Sequence, residues 1–175
     1  TSSLSSTSTR GLNIGTLAAA GVVTLPGVNI AGGLANEPLV RLQSNNAASL
    51  VNFAGGVVAT SSATDSAAFL SDGGRLSVGG ASNILSASDG PALYLESVEL
   101  TANATFASLS STSSNARGIS VDSPVGANDV LVTGTTTISA PSTEAIRVNS
   151  TAASGFLLSL ARLTATGGTT GISVN

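Results

Sequence analysis

The stretch GISVN, residues 171–175, repeats a phrase that occurs earlier as GISVDS, residues 118–123, and more loosely as AIRVNS, residues 145–150. In each copy, one small or polar residue separates two apolar residues. A repeat of about 27 residues is typical of a solenoid, whose units bury their apolar faces against one another. The pair recurs every 25 to 28 residues, as Leu12/Ile14, Val40/Leu42, Ala68/Leu70, Leu93/Leu95, Ile119/Val121, Ile146/Val148 and Ile172/Val174.

Two further sets of apolar residues follow the first pair within most units. Bends rich in Gly, Asn and Ser separate the sets, so each unit is predicted to contain three short strands with period-two alternation. The Ala68/Leu70 pair is the weakest of the first set, and its alignment allows a slip of one residue. The second set is Val23/Leu25, Val51/Phe53, Leu76/Val78, Val98/Leu100, Val130/Val132 and Leu158/Leu160; the third is Ile30, Val58, Ile84, Phe106, Ile138, and Leu163 or Ala165.

These patterns predict an all-β fold, a parallel β-helix. We expect residues 1–175 to form a single domain with three short strands and about 27 residues per turn, in about six full turns plus partial turns at both ends. Equivalent turns would stack at the strand spacing of about 4.8 Å. The alternative is a β-sandwich with regularly spaced strands. That fold does not require equivalent residue types at one long period, so the sequence favours the β-helix.

The composition excludes several classes of function. Charged residues make up 9% of the chain, and it has no His and no Cys. A Ser-His-Asp or Cys-His triad and the usual zinc ligands are therefore missing, and we predict no metal site, no cofactor site and no cofactor. The net charge of −3 argues against a nucleic-acid partner. The apolar stretch 16–35 contains Pro26 and Asn29, so we expect no membrane insertion of this chain.

The best group of acidic residues for catalysis is Glu96, Glu99, Asp122 and Asp129, which the repeat places on adjacent turns. In register, Glu96 and Asp122 would lie about 5 Å apart, close to the separation of a retaining glycosidase pair. The alternative function is therefore a polysaccharide-binding or polysaccharide-cleaving, pectate-lyase-like β-helix. The arginines that should accompany such a site lie whole turns away, so we predict no catalytic residues and no enzyme.

The position after each first strand is expected to form a column at one corner of the coil. Asn149 and Asn175 could join in an amide ladder along that column, and Glu96 with Asp122 could bind a cation. Ordinary turn-forming polar residues explain the column more simply. Its predicted members are Gly15, Gln43, Ser71, Glu96, Asp122, Asn149 and Asn175.

Units rich in Ser, Thr, Gly, Ala and Asn that carry GISV, AIRV and ALYL resemble the passenger domains of bacterial autotransporter and haemagglutinin-type adhesins. The resemblance implies a right-handed parallel β-helix that is secreted and displayed outside the cell or on the bacterial surface. It also implies a non-catalytic stalk or adhesin, with a host cell, a neighbouring cell or a glycan as partner.

The two ends of the sequence have complementary positions in the repeat. Residues 2–15 match the interior stretch 107–121, so the chain is expected to open in the third segment of a turn and to close in a first strand. We expect both ends to be uncapped, which exposes strand edges that favour further pairing. The chain is then either a segment of a longer coil or the subunit of a filament in which copies stack end to end.

Overall fold

Three stacks of short parallel strands form the walls of a coil. The computed structural model describes residues 4–6, 11–150 and 155–175, and it contains no helix within them. Every pairing between strands is parallel and joins a strand to its equivalent one turn away. The predicted parallel β-helix of about six turns, with three strands and about 27 residues per turn, is confirmed.

The strands fall into three sheets, which the chain visits in a fixed order. Sheet 1 contains β2 (Leu12–Gly15), β5 (Val40–Gln43), β8 (Phe69–Asp72), β11 (Leu93–Glu96), β14 (Ile119–Asp122), β16 (Glu144–Asn149) and β18 (Thr170–Val174). Sheet 2 contains β3 (Val22–Leu25), β6 (Leu50–Phe53), β9 (Arg75–Val78) and β12 (Glu99–Leu100). Sheet 3 contains β1 (Leu4–Ser6), β4 (Val28–Gly32), β7 (Val57–Ser61), β10 (Asn83–Ala87), β13 (Ala104–Thr112), β15 (Val130–Ser139) and β17 (Leu158–Thr166).

The first predicted column is correct along most of sheet 1. Ile119 lies opposite Ile146, and Ile146 lies opposite Ile172, so the three isoleucines form one line. The Ala68/Leu70 alignment is wrong by one residue, because Phe69 and not Ala68 lies opposite Val40. Phe69 is fully buried, and its ring packs edge-on against Phe53 of sheet 2 with ring centroids 5.6 Å apart. The larger side chain therefore takes the inward position.

The second predicted column is correct only in the first three turns. In sheet 2, Leu100 lies opposite Leu76, whereas the predicted column aligns Leu76 with Val98. The pairs Val130/Val132 and Leu158/Leu160 belong to sheet 3 instead, where Val130 lies opposite Ala104. In the described residues, only an isolated bridge between Glu99 and Val125 continues sheet 2 beyond β12.

A change at one bend accompanies this difference. Gly79 and Gly80 separate β9 from β10, and Gly80 has a φ of +72°. Residues 104–112 contain no glycine, and they continue as one nine-residue strand with a register shift after Phe106. A bulge in a long strand thus replaces the glycine bend between two short ones.

The third predicted column is partly wrong. Along sheet 3, Val58 and Ile84 point outward, and Ile84 is 37% exposed. Phe106 and Ile138 are buried, but they lie in other columns, opposite Val132 and Ser111. Each of these outward residues has an apolar neighbour in the chain that can face inward instead. A shift of one residue exchanges the two faces of a strand, so the prediction chose the wrong member of each pair. The observed column is Ile30, Ala59, Leu85, Leu109, Thr136 and Leu163.

Residues in the left-handed conformation turn the chain at the corners. One follows most strands of sheet 1, and the late strands of sheet 3 end in the same way with Ser113, Ala140 and Gly167. Most of these residues are not glycine, and non-glycine residues adopt this conformation at a cost. The sheet 1 corners are Thr16, Ser44, Gly73, Ser97 and Ser123.

The prediction for the start of the chain is tested only in part. β1 pairs with β4 in sheet 3, as expected for the third segment of a turn. Residues 1–3 and 7–10, which the prediction also covered, lie outside the described residues. At the other end of the described coil, Ile172 and Val174 occupy inward columns but are 55% and 71% exposed.

Candidate functional site: a polar groove on sheet 1

The outer face of sheet 1 carries one side chain per turn at the middle of each strand. Because the strands pair in register, these side chains form a line along the coil axis. The line mixes charged, aromatic, aliphatic and hydroxyl side chains, which distinguishes it from the apolar columns inside. Its members are Asn13, Arg41, Leu70, Tyr94, Ser120, Arg147 and Ser173.

Three carboxylates occupy consecutive positions in the corner column next to this line. Glu96 lies directly opposite Asp122, as predicted. On its other side, Glu96 lies opposite Asp72, and Ser71, which the prediction placed in this column, points inward and is buried. The one-residue slip at Phe69 moves Asp72 into the corner. Asn149 lies opposite Asp122 in the next turn.

The four acidic residues that the sequence grouped together do not converge. Glu99 lies in sheet 2, where it forms an ion pair with Arg75 at 3.3 Å. Asp129 directly precedes β15, and its Oδ1 accepts a hydrogen bond from the backbone N–H of Leu157 at 3.0 Å. Only Glu96 and Asp122 remain together, on one face of the coil.

Asp122 and Glu96 have different contacts with the side chains around them. Asp122 lies 3.5 Å from Nε of Arg147 and accepts a hydrogen bond from the Ser120 hydroxyl at 2.9 Å. Glu96 accepts a hydrogen bond from the Tyr94 hydroxyl at 3.0 Å. Burial raises the pKa of Tyr94 to about 12, and the bond to Glu96 and the nearby carboxylate charges act in the same direction. Tyr94 is therefore a hydrogen-bond donor at neutral pH.

Another charged pair involves the first residue of β16. Arg117 donates a hydrogen bond from Nε to Glu144 at 2.9 Å, one turn later in the coil. Hydrogen bonds from its own backbone N–H and from the Thr143 hydroxyl lower the pKa of Glu144, and Arg117 adds to this shift. Such pairs join adjacent turns without forming a cavity.

An open groove of about 570 Å³ runs across three turns on the outer face of sheet 1. Arg41, Leu70 and Tyr94 form its floor, one residue per turn. One wall comes from the corners before the strands and the other from the corners after them. The walls carry the carboxylates Glu37, Asp65, Asp72 and Glu96.

The groove has a formal charge of −3, from four carboxylates and the guanidinium of Arg41. Arg41 forms an ion pair with Glu37 at 3.0 Å. Asp65 and Asp72 form no ion pair within the described part of the chain. Sequence reasoning did not find this groove, because its floor requires the slip that brings Leu70 to the outer face.

The described residues contain no group of three or more His, Cys, Asp or Glu side chains that could hold a metal ion. The possible amide ladder of Asn149 and Asn175 does not form: the Asn175 amide lies 3.3 Å from the Ser173 hydroxyl in its own strand, and no bond joins the two asparagine side chains. No helix in the described ranges has the length and apolar character to span a membrane.

Buried polar side chains at the corners were also missed by sequence reasoning. Asn83 is 1% exposed and makes hydrogen bonds to three successive turns. Asn45 accepts a hydrogen bond from the backbone N–H of Leu17, one turn earlier. The sequence indicates such a residue only by an asparagine beside a bend, as in GGASN, residues 79–83. The same pattern is typical of an exposed turn, so it does not predict burial.

Comparisons of the chain with protein-family models, with curated proteins and with solved structures give no match. The resemblance to adhesin passenger domains therefore adds to a proposal and does not establish a family.

Proposed function

We propose that this protein is a non-enzymatic structural rod, a β-solenoid that serves outside the cell, on the bacterial surface, as a stalk or adhesin segment or as the subunit of an end-to-end filament. The observation that carries the proposal is the unbroken register of sheet 1, which pairs seven strands from β2 to β18. A coil whose turns stack strand on strand in this way extends along its axis by simple addition of turns.

Bonds between successive turns support a mechanical role for the coil. Arg75 pairs with Glu99, Arg117 with Glu144, and each pair joins neighbouring turns. Corner side chains add backbone contacts across turns, as Asn45 does to Leu17. These contacts resist sliding of one turn over the next, which would favour a stiff rod.

The surface composition supports an extracellular setting. The net charge of the chain is −3, and Ser, Thr and Asn are frequent among its polar residues. Such a surface is hydrophilic with few charges, and the adhesin passenger domains that the sequence resembles share this character.

The edge of β18 bears on how the rod continues. Ile172 and Val174 continue the columns of Ile146 and Val148, which are 1% and 9% exposed. Another turn in the same register would bury both residues, whether it came from the same polypeptide or from a second copy. Burial of such apolar surface stabilises the joint.

Electron microscopy of the purified chain tests the rod. Stacked copies would give filaments with an axial repeat of about 34 Å, seven strand spacings. Val174→Lys places a charge in an inward column and should abolish filaments, whereas Ser173→Lys, on the outer face of the same strand, should retain them. Separate single molecules without filaments would indicate that the chain is a segment of a longer rod. Cleavage of a polysaccharide in a depolymerisation assay would overturn the proposal.

Removal of one turn tests whether the coil is modular. Deleting residues 93–118 joins the chain at equivalent positions, because Leu93 lies opposite Ile119. The shortened chain should fold and lose about 4.8 Å of axial length in small-angle scattering. Deleting residues 93–105 leaves the chain out of phase and should prevent folding. Equal failure of both deletions would contradict a modular rod.

A further inference from the structure

The geometry points to a binding site for a linear glycan with free amino groups, in the groove on the outer face of sheet 1. The site is independent of the proposed rod function, since it depends on three turns and not on the length of the coil. It would give the rod a specific ligand.

The floor of the groove suits a chain of sugar rings. Arg41, Leu70 and Tyr94 are paired in register on β5, β8 and β11, so the floor advances along the coil axis by one strand spacing per residue. Leu70 and Tyr94 offer adjacent apolar and aromatic surface, which is the usual lining of ligand sites. The bond from the Tyr94 hydroxyl to Glu96 restrains the position of the ring within the floor.

The walls suit amino groups more than hydroxyl groups alone. Asp65 and Asp72 line the groove, and neither forms an ion pair within the described residues. Among the described residues, the Glu96 carboxylate accepts a hydrogen bond only from the neutral Tyr94 hydroxyl, and no ion pair neutralises its charge. A cationic amine would make charge-assisted hydrogen bonds to these carboxylates and could also lie against the ring of Tyr94.

Two other classes of polymer fit the groove less well. Polyanions such as uronic-acid chains are repelled by its formal charge of −3. An extended peptide commonly binds by adding a strand to a free sheet edge. β5, β8 and β11 are interior strands of sheet 1, so their backbone groups are already paired and only side chains are available for recognition.

Tyr94 provides a direct reporter of binding. The chain has one tyrosine and no tryptophan, so its intrinsic fluorescence comes from the groove floor. The test titrates the protein with glucosamine oligomers, with N-acetylglucosamine oligomers of the same length, with oligogalacturonate and with a lysine-containing peptide. We expect the glucosamine oligomers to change the emission and to bind at least about tenfold more tightly than the acetylated oligomers.

Matched charge variants locate the site. Glu96→Gln and Asp72→Asn should each weaken binding of the glucosamine oligomers by about tenfold in calorimetry. Glu99→Gln removes the same charge from sheet 2 and should leave the affinity unchanged. All three positions are at least partly exposed, and circular dichroism checks that the variants fold. The proposal is overturned if the acetylated oligomers or the peptide bind equally well, or if all three variants bind alike.

Discussion

Asn83 Oδ1 accepts a hydrogen bond from the backbone N–H of Val57 at 2.6 Å, one turn earlier in the coil. The amide nitrogen of the same side chain donates to the carbonyl of Thr105 at 2.7 Å, one turn later. It also donates to Gly79 at 2.9 Å, and to Gly80, in its own bend. One buried side chain therefore joins three turns, at the corner where sheet 2 meets sheet 3.

Replacing this side chain should destabilise the coil strongly. Asn83→Ala leaves the buried N–H of Val57 and the half-buried carbonyl of Thr105 without their partner, and a buried group left unsatisfied costs 1 kcal/mol or more. We expect the free energy of unfolding to fall by roughly 3 kcal/mol, measured by urea denaturation. Asn29→Ala, at an exposed position of β4, is the control and should change stability by less than about 0.5 kcal/mol.

A loss for Asn83→Ala no larger than that for Asn29→Ala would show that the corner bonds contribute little. The two substitutions remove the same atoms from strands of the same sheet. Their difference therefore isolates the hydrogen bonds of the buried side chain.

Thr136 presents the opposite case, a buried hydroxyl with no partner. Its side chain lies between Leu109 and Leu163 in the inner column of sheet 3 and is 0% exposed. Its Oγ1 makes no hydrogen bond in the described part of the chain. Thr136→Val keeps the shape and removes the unsatisfied group, so we expect thermal unfolding to show a gain of about 1 kcal/mol.

The adjacent outward threonine provides the control for that substitution. Thr137 lies on the same strand with its side chain toward the solvent. Thr137→Val should leave the stability within about 0.5 kcal/mol of the parent. A loss of stability in Thr136→Val would mean that its hydroxyl has a partner in the folded protein.

The sequence predicted the columns well where the apolar residues are isolated by polar ones. Ile119 and Val121 have polar or small neighbours, so only one register buries them. Phe69 is followed by Leu70, and Ile84 by Leu85, so either residue of each pair could face inward. Packing against Phe53 decides the first case, and that contact joins two sheets.

The candidate site was also predicted only where isolated apolar residues fix the alignment of the strands. Glu96 and Asp122 were predicted to be adjacent because the strands that carry them are aligned by clear apolar pairs. The groove was not predicted, since Leu70 and Asp72 reach the outer face only after the one-residue slip at Phe69. The hydrogen bonds from Asn83 to three turns were not predicted, because an asparagine at a bend is usually exposed. Whether its side chain is buried depends on the turns before and after it.

Ala140 tests the cost of the corner conformation. It follows β15 with a φ of +49°, a conformation that costs an L-residue with a Cβ about 1 kcal/mol. Ala140→Gly should therefore raise the free energy of unfolding by up to about 1 kcal/mol. The same change at Ala102, an exposed residue outside the positive-φ set, should lower it by about 0.5 kcal/mol. If the free energy of unfolding changed in the same direction in both variants, the conformation of Ala140 would not be strained.

Tyr94 is the only tyrosine, so its titration can be followed by tyrosinate absorbance without interference. Burial and the bond to Glu96 raise its pKa from 10.0 to about 12 in the folded chain, and we expect a midpoint near 10 in urea. Because the unfolded state loses the proton first, the free energy of unfolding should fall as the pH rises from about 10 to about 12. Glu96→Gln removes the adjacent charge and should lower the folded midpoint, whereas Glu99→Gln should not. A folded midpoint that matches the value in urea would show that Tyr94 is neither buried nor bonded to Glu96.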